Sequence, residues 1–302
     1  DAKTVGTITV RPPYKQFSTL LCTDTITRGR YVRYLSTDNG NGNVAEIYFY
    51  SVPPTDEELA NVPDTLAATL SEYAVAGSTT YKPTEPMTLW YRQPVTAMYA
   101  DNIWMDYALP IGNGQLGGMV YGGIHQDMVQ FNEKTLWQGS STSRGAYQNF
   151  GNLYLEDISG NATEGVTDYY RTLDLSNATA TAHWKVGTVS YDRQYIASFP
   201  DKVIAVRLTA SEPGKISQHF YLFNDHGNRP LYKDGTATIK GKLTTVSYNA
   251  RLRVVPEGGE LTTDATGIYV RGADAITVYL AAGTDFDPVA SGYVKGTKHI
   301  TD

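Results

Sequence analysis

From Thr244 to Val254 the chain alternates without interruption: Val246, Tyr248, Ala250, Leu252 and Val254 are separated by Ser247, Asn249, Arg251 and Arg253. A side-chain period of two places one set on a buried face and the other in water, which is the signature of a half-buried antiparallel strand. A helix cannot satisfy it, because its same-face neighbours lie three and four residues apart. The pattern recurs in Lys202–Thr209 with Ile204, Val206 and Leu208, and less cleanly in Ile216–Phe223, while Ile276–Ala281 reads as a more continuously buried strand. Between these runs stand turn formers: Glu212-Pro213-Gly214, Lys233-Asp234-Gly235, Pro256-Glu257-Gly258-Gly259 and Arg271-Gly272-Ala273-Asp274. Many short strands with such punctuation, and no long stretch of helical period, predict an all-β sandwich.

Before residue 87 the text differs. Val5–Val10, Arg30–Ser36 and Val44–Tyr50 are short strand-like runs broken by the turn-rich Asp38–Asn43, so residues 1–52 are read as a small, partial β-unit. Residues 53–86, with prolines at both ends, read as a linker carrying short helical turns, and residues 87–302 as the large antiparallel β-domain.

Composition narrows the function classes. Twenty-five basic and 31 acidic residues give a formal net charge of -6 with no Lys/Arg cluster, so nucleic-acid binding has no electrostatic source. The 23 tyrosines against 8 phenylalanines suit polar-rimmed strands and a neutral or weakly polar partner. No run approaches a membrane span, and the single Cys22 excludes an intrachain disulfide or a cysteine-based zinc cluster. The chain opens on Asp1 without a leader, which reads either as a removed leader or as an expressed piece. Asn161-Ala162-Thr163 and Asn177-Ala178-Thr179 match the glycosylation acceptor pattern, a short pattern that arises by chance in Thr-rich chains.

The chemistry-bearing residues concentrate between Trp104 and Gly139. Gly112, Gly114, Gly117 and Gly118 lead into Met119-Val120-Tyr121, a strand rather than the helix a dinucleotide fingerprint requires, so they mark tight turns and close backbone approach. Trp104, Asn132, Glu133 and Trp137 supply indole, amide and carboxylate groups that suit a sugar: an indole stacks on a pyranose face, and amides and carboxylates bond its hydroxyls. A carboxylate beside a tryptophan is also an ordinary structural pair. Hydrolysis needs a second acid in defined relation, and Asp101, Asp106, Glu156 and Asp157 are candidates among which sequence does not choose. His125, His183, His219, His226 and His299 show no metal-ligand spacing, and Asp38–Asn43 lacks the glutamate of a calcium loop, so no metal and no cofactor is expected.

The runs Ala108–Val120, Gln130–Gly139, Tyr147–Leu155, Tyr170–Leu175, Tyr191–Tyr195 and Ser198–Val203, in this order, resemble the amino-terminal domain of glycoside hydrolase family 95, the α-L-fucosidase family. Arg30–Ser36 with Gly42–Tyr50 resembles the closing strands of a discoidin-like module. The resemblance implies a β-supersandwich packed on an (α/α)6 barrel, which carries an inverting reaction with a glutamic general acid and an aspartate-supported asparagine pair. None of those positions lies in this sequence. It further implies a fucosylated glycan as substrate of the parent enzyme, the catalytic barrel as intramolecular partner, and an extracytoplasmic location, periplasmic, cell-surface or secreted. The expectation is a truncated, non-catalytic portion with no catalytic residue of its own, in which Trp104, Asn132, Glu133 and Trp137 lie near the barrel interface. A stand-alone glycan-binding or adhesion module remains the alternative.

Overall fold

The computed structural model describes residues 79–85, 87–95, 107–140, 142–160 and 165–287. The chain divides into two units, 1–64 and 65–302, and every described residue belongs to the second. The partial β-unit expected over 1–52, most of the linker and Trp104 lie outside the described residues.

In chain order the strands are β1 (Thr88–Tyr91), β2 (Leu109–Gly112), β3 (Leu116–Val120), β4 (Gln126–Glu133), β5 (Trp137–Gln138), β6 (Ala146–Tyr147), β7 (Gly151–Asp157), β8 (Val166–Asp174) and β9 (Thr179–Val186). They continue with β10 (Val189–Ser198), β11 (Val203–Ala210), β12 (Ile216–Phe223), β13 (Leu231–Lys233), β14 (Thr236–Lys242), β15 (Ser247–Glu257), β16 (Glu260–Thr263), β17 (Ile268–Ala273) and β18 (Ala275–Thr284). No helix occurs among the described residues, and every strand pair is antiparallel, as the alternation predicts.

A nine-stranded sheet has the order β1-β8-β9-β10-β11-β18-β15-β14-β13, and a seven-stranded sheet the order β16-β17-β12-β7-β4-β3-β2. The two inner faces close on one apolar core. Val206, Leu208, Leu252, Val278 and Leu280 meet Val129, Phe131, Leu153, Leu155 and Phe220, all buried. Each such side chain removed from water contributes roughly 1.5–3 kcal/mol. Val246, Tyr248, Ala250, Leu252 and Val254 are all buried, and so are Ile204, Val206 and Leu208. Ile276–Ala281 differs from the continuous burial expected: Ile276, Val278 and Leu280 are buried but Tyr279 is exposed, because β18 faces solvent on its outer side. β12 alternates strictly, and its irregular look in the sequence comes from Gln218, a polar residue on the buried face.

The glycines of the 112–118 run act as turn and packing residues. Gly114 turns the β2–β3 hairpin at φ +80°. Gly118 lies where a β-carbon would come within 3.1 Å of Ile204 and 3.2 Å of Val129, so its missing side chain lets the sheets approach.

Candidate functional site

β4 presents Asp127, Val129, Phe131 and Glu133 inward and Gln126, Met128, Gln130 and Asn132 outward. The pleat therefore sends Asn132 and Glu133, adjacent in sequence, to opposite sides of the sheet. Glu133 is buried and caps the turn that follows it: the Thr135 backbone N–H (2.8 Å) and hydroxyl (2.5 Å) both donate to Glu133 Oε2. Thr135 Oγ1 lies 2.5 Å from Thr284 Oγ1 at the end of β18, and the Phe286 N–H donates to Thr284 Oγ1 at 3.2 Å. A hydroxyl has one proton, so with Thr135 donating to Glu133, Thr284 donates to Thr135. The result is a polarised chain of hydrogen bonds joining the two sheets. Burial pushes the Glu133 carboxyl up, and the Thr135 bonds only partly oppose it.

Trp137 opens the small β5–β6 ribbon beyond this turn. Half-buried, it meets the exposed Tyr147 edge-on at 4.8 Å, and its carbonyl accepts the Thr245 hydroxyl at 2.6 Å. Of the four residues expected near an interface, Glu133 and Trp137 thus share one end of the sandwich, Asn132 lies on the outer face of the seven-stranded sheet, and Trp104 is outside the described residues.

That outer face holds a larger assembly. Strand pairing sets Gln126 beside Glu156 and Glu156 beside His219, with Met128, Tyr154 and Tyr221 in the next row. Glu156 Oε1 accepts from Tyr221 (2.8 Å) and Gln126 (2.8 Å), and Oε2 lies 3.2 Å from His219 Nδ1. His219 stacks on Tyr269 at 4.2 Å, and Tyr154 on Tyr221 at 4.8 Å. Burial pushes the Glu156 carboxyl up, but the bonds from Tyr221, His219 and Gln126 outweigh it and hold the carboxyl below its ordinary range. At neutral pH it is an ionised acceptor, unsuited to hold the proton a glycosidic oxygen needs. Glu156 had sequence-level standing only as one acid among several; what singles it out is the cross-strand pairing of β4, β7 and β12.

The other end of β4 carries a group that sequence reasoning did not reach. Arg193, fully buried on β10, places Nη1 3.0 Å from Asp127 Oδ2 and donates to the carbonyls of Gly123 (2.7 Å) and Ile124 (3.4 Å). Tyr195 donates to the same Asp127 oxygen, and the Gly123 N–H to Asp127 Oδ1 at 2.9 Å. Burial drives the Tyr195 phenol well up, and Asp127 drives it further. The arrangement is a cross-sheet anchor: the buried Arg193 Nε–H finds no hydrogen-bond partner among the described residues, and the guanidinium lies over the Trp184 ring at 4.9 Å. Among the described residues no group of three or more His, Cys, Asp or Glu side chains is placed to hold a metal ion.

The sequence is similar to known proteins. The family model described as "Glycosyl hydrolase family 65, N-terminal domain" matches residues 89–145 and 141–289. Alpha-L-fucosidase 2 of Arabidopsis thaliana is 31% identical over 150 residues, covering 38% of this chain and 18% of that protein. Probable alpha-fucosidase A of Aspergillus niger is 24% identical over 231 residues (60% of this chain, 29% of that protein), and that of Aspergillus oryzae 22% identical over 227 residues (60% and 31%). The chain therefore spans less than a third of the length of these curated relatives.

Proposed function

Because this chain belongs to the glycosyl hydrolase family 65 N-terminal domain family, we propose that its sandwich is the non-catalytic support of an inverting, family 95-type α-L-fucosidase whose chemistry resides on an (α/α)6 barrel. In this reading the parent enzyme acts on fucosylated glycans outside the cytoplasm, and the barrel meets the sandwich at the end that carries Glu133 and Trp137. Trp104 and Asn132 stand near the same interface. Domain boundaries at 52 and 86 belong to the same proposal.

The observation that carries the non-catalytic role is the state of the two carboxylates in aromatic surroundings. Glu133 spends its Oε2 on its own turn, and Glu156 is engaged by Tyr221, Gln126 and His219. Inverting hydrolysis asks for a proton-bearing acid facing a water-activating base about 6.5–9.5 Å away across one sugar ring. The test is turnover of 4-nitrophenyl α-L-fucoside by the 302-residue chain. None is expected, and activity that disappeared in Glu133→Gln would overturn the reading.

The aromatic, amide and carboxylate rows around Glu156 favour a second reading, a glycan-binding module. It predicts that a fucosylated oligosaccharide binds the isolated chain and is lost in Tyr221→Ala.

A further inference from the structure

The outer face of the nine-stranded sheet carries a polar assembly that the reading above does not use. Three rings stack in file there: Tyr81 on Tyr170 at 3.8 Å and 5°, then Tyr170 on His183 at 4.7 Å and 20°. His183 Nδ1 is held 2.8 Å from Asp192 Oδ1, and Trp90 meets Tyr81 edge-on at 6.3 Å. Asp168, in the bulge of β8, bonds both Lys185 and Thr79, so the segment bearing Tyr81 is fixed to the sheet at two points.

Beside this file the pairing aligns two rows on one face. Thr172, Thr181 and Gln194 form one, and Thr88, Asp174 and Thr179 the next. With Tyr81 as a wall they enclose a hollow of about 170 Å³. That is room for at least about five waters, enough for one six-membered sugar ring. Glu85 and Asn177 complete the rim, and none of the described residues lining the hollow is a lysine or arginine.

We propose that this hollow binds a single ring of a neutral sugar. Threonine hydroxyls and the Gln194 amide both donate and accept, as sugar hydroxyls do, while Asp174 and Glu85 only accept and so select a ligand rich in O–H donors. Two carboxylates in a lining whose described residues include no lysine or arginine reject uronates and phosphates by like charge. The locked Tyr81 supplies a wall whose ordering is already complete before binding. The site does not depend on the support reading, and its failure would leave that reading intact.

The experiment is saturation-transfer NMR with titration calorimetry on the full chain, using L-fucose, D-galactose, D-glucose and D-glucuronate as probes. At least one neutral sugar is expected to bind in the millimolar range, as suits a few exposed hydrogen bonds on one ring. Gln194→Ala, at an exposed position, and the near-isosteric Thr181→Val should each weaken it at least tenfold, with Leu231→Ala, exposed on β13 at the opposite edge of the same sheet, as an unaffected reference. Glucuronate should bind at least tenfold more weakly. Absence of any neutral-sugar binding, binding unchanged in both variants, loss in Leu231→Ala, or equal binding of glucuronate overturns the proposal.

Discussion

Asp127 and Glu133 lie at the two ends of β4 and both turn inward, and each carboxylate reaches the nine-stranded sheet through different chemistry. Asp127 does so by an ion pair with Arg193, Glu133 by a relay of threonine hydroxyls. One strand thereby fixes both ends of the sandwich, and the apolar core fills the space between.

The ion pair sets the first prediction. Arg193→Met leaves Asp127 buried without its counter-charge, and losing one partner of such a pair costs about 3–5 kcal/mol. Urea denaturation should show that loss as a lower midpoint at unchanged slope. Removing both charges with Asp127→Leu in the same chain should recover part of it; a double variant as unstable as the sum of its parts would show that the pair is not coupled.

Opposite pH slopes are expected from the two glutamates. Glu133 has a folded pKa raised by burial, so the native state holds its proton more tightly than the unfolded chain; that contribution is full below the ordinary carboxylate range and is lost as pH rises through the folded value. Glu156 has a lowered folded pKa despite burial, through Tyr221, His219 and Gln126, so its contribution is present above the ordinary range and is lost as pH falls. Unfolding free energy measured from about pH 3 to 7 should therefore rise less steeply with pH in Glu156→Gln than in the parent, and more steeply in Glu133→Gln.

The turn that receives Arg193 tolerates no side chain at Gly123. A β-carbon there would sit 1.9 Å from the Gln126 carbonyl oxygen, which is backbone and cannot swing aside. Gly123→Ala should cost upwards of about 3 kcal/mol by displacing the carbonyl that Arg193 binds. Gly114→Ala meets nothing within 4 Å and bears only the strain of a positive φ, about 1–2 kcal/mol. Thermal melting of the two variants, side by side, reads the difference.

The threonine relay is testable by isosteric change. Thr135→Val and Thr284→Val each remove one hydroxyl of the chain that ends on Glu133, at about 1 kcal/mol apiece. The double variant should cost less than the sum, because breaking either link already opens the relay.

The strands were readable in the sequence because the two inner faces repeat one simple rule, and residues such as Leu252 and Val206 sit where alternation puts them. Arg193 was not. In Tyr191-Asp192-Arg193-Gln194-Tyr195 the inward positions are an arginine and tyrosines, and the justification for a buried charge lies on another strand, where Asp127 waits at a place no local pattern marks. The site suffered from the same cause in reverse. Asn132 and Glu133 look like one pair in the text, whereas the pleat divides them, and Glu156 gains its meaning only from strands β4 and β12 on either side.

Among the described residues the two sheets terminate on β1 and β13, and on β16 and β2, none longer than four residues, and β2 carries Pro110. Such margins offer almost no row of free amides onto which a foreign strand could zip, and proline removes one donor outright. The described margins give a foreign strand little backbone purchase. Recognition at these margins falls to side chains standing on the faces and loops, so affinity can change by single substitutions there while the ladder beneath stays untouched.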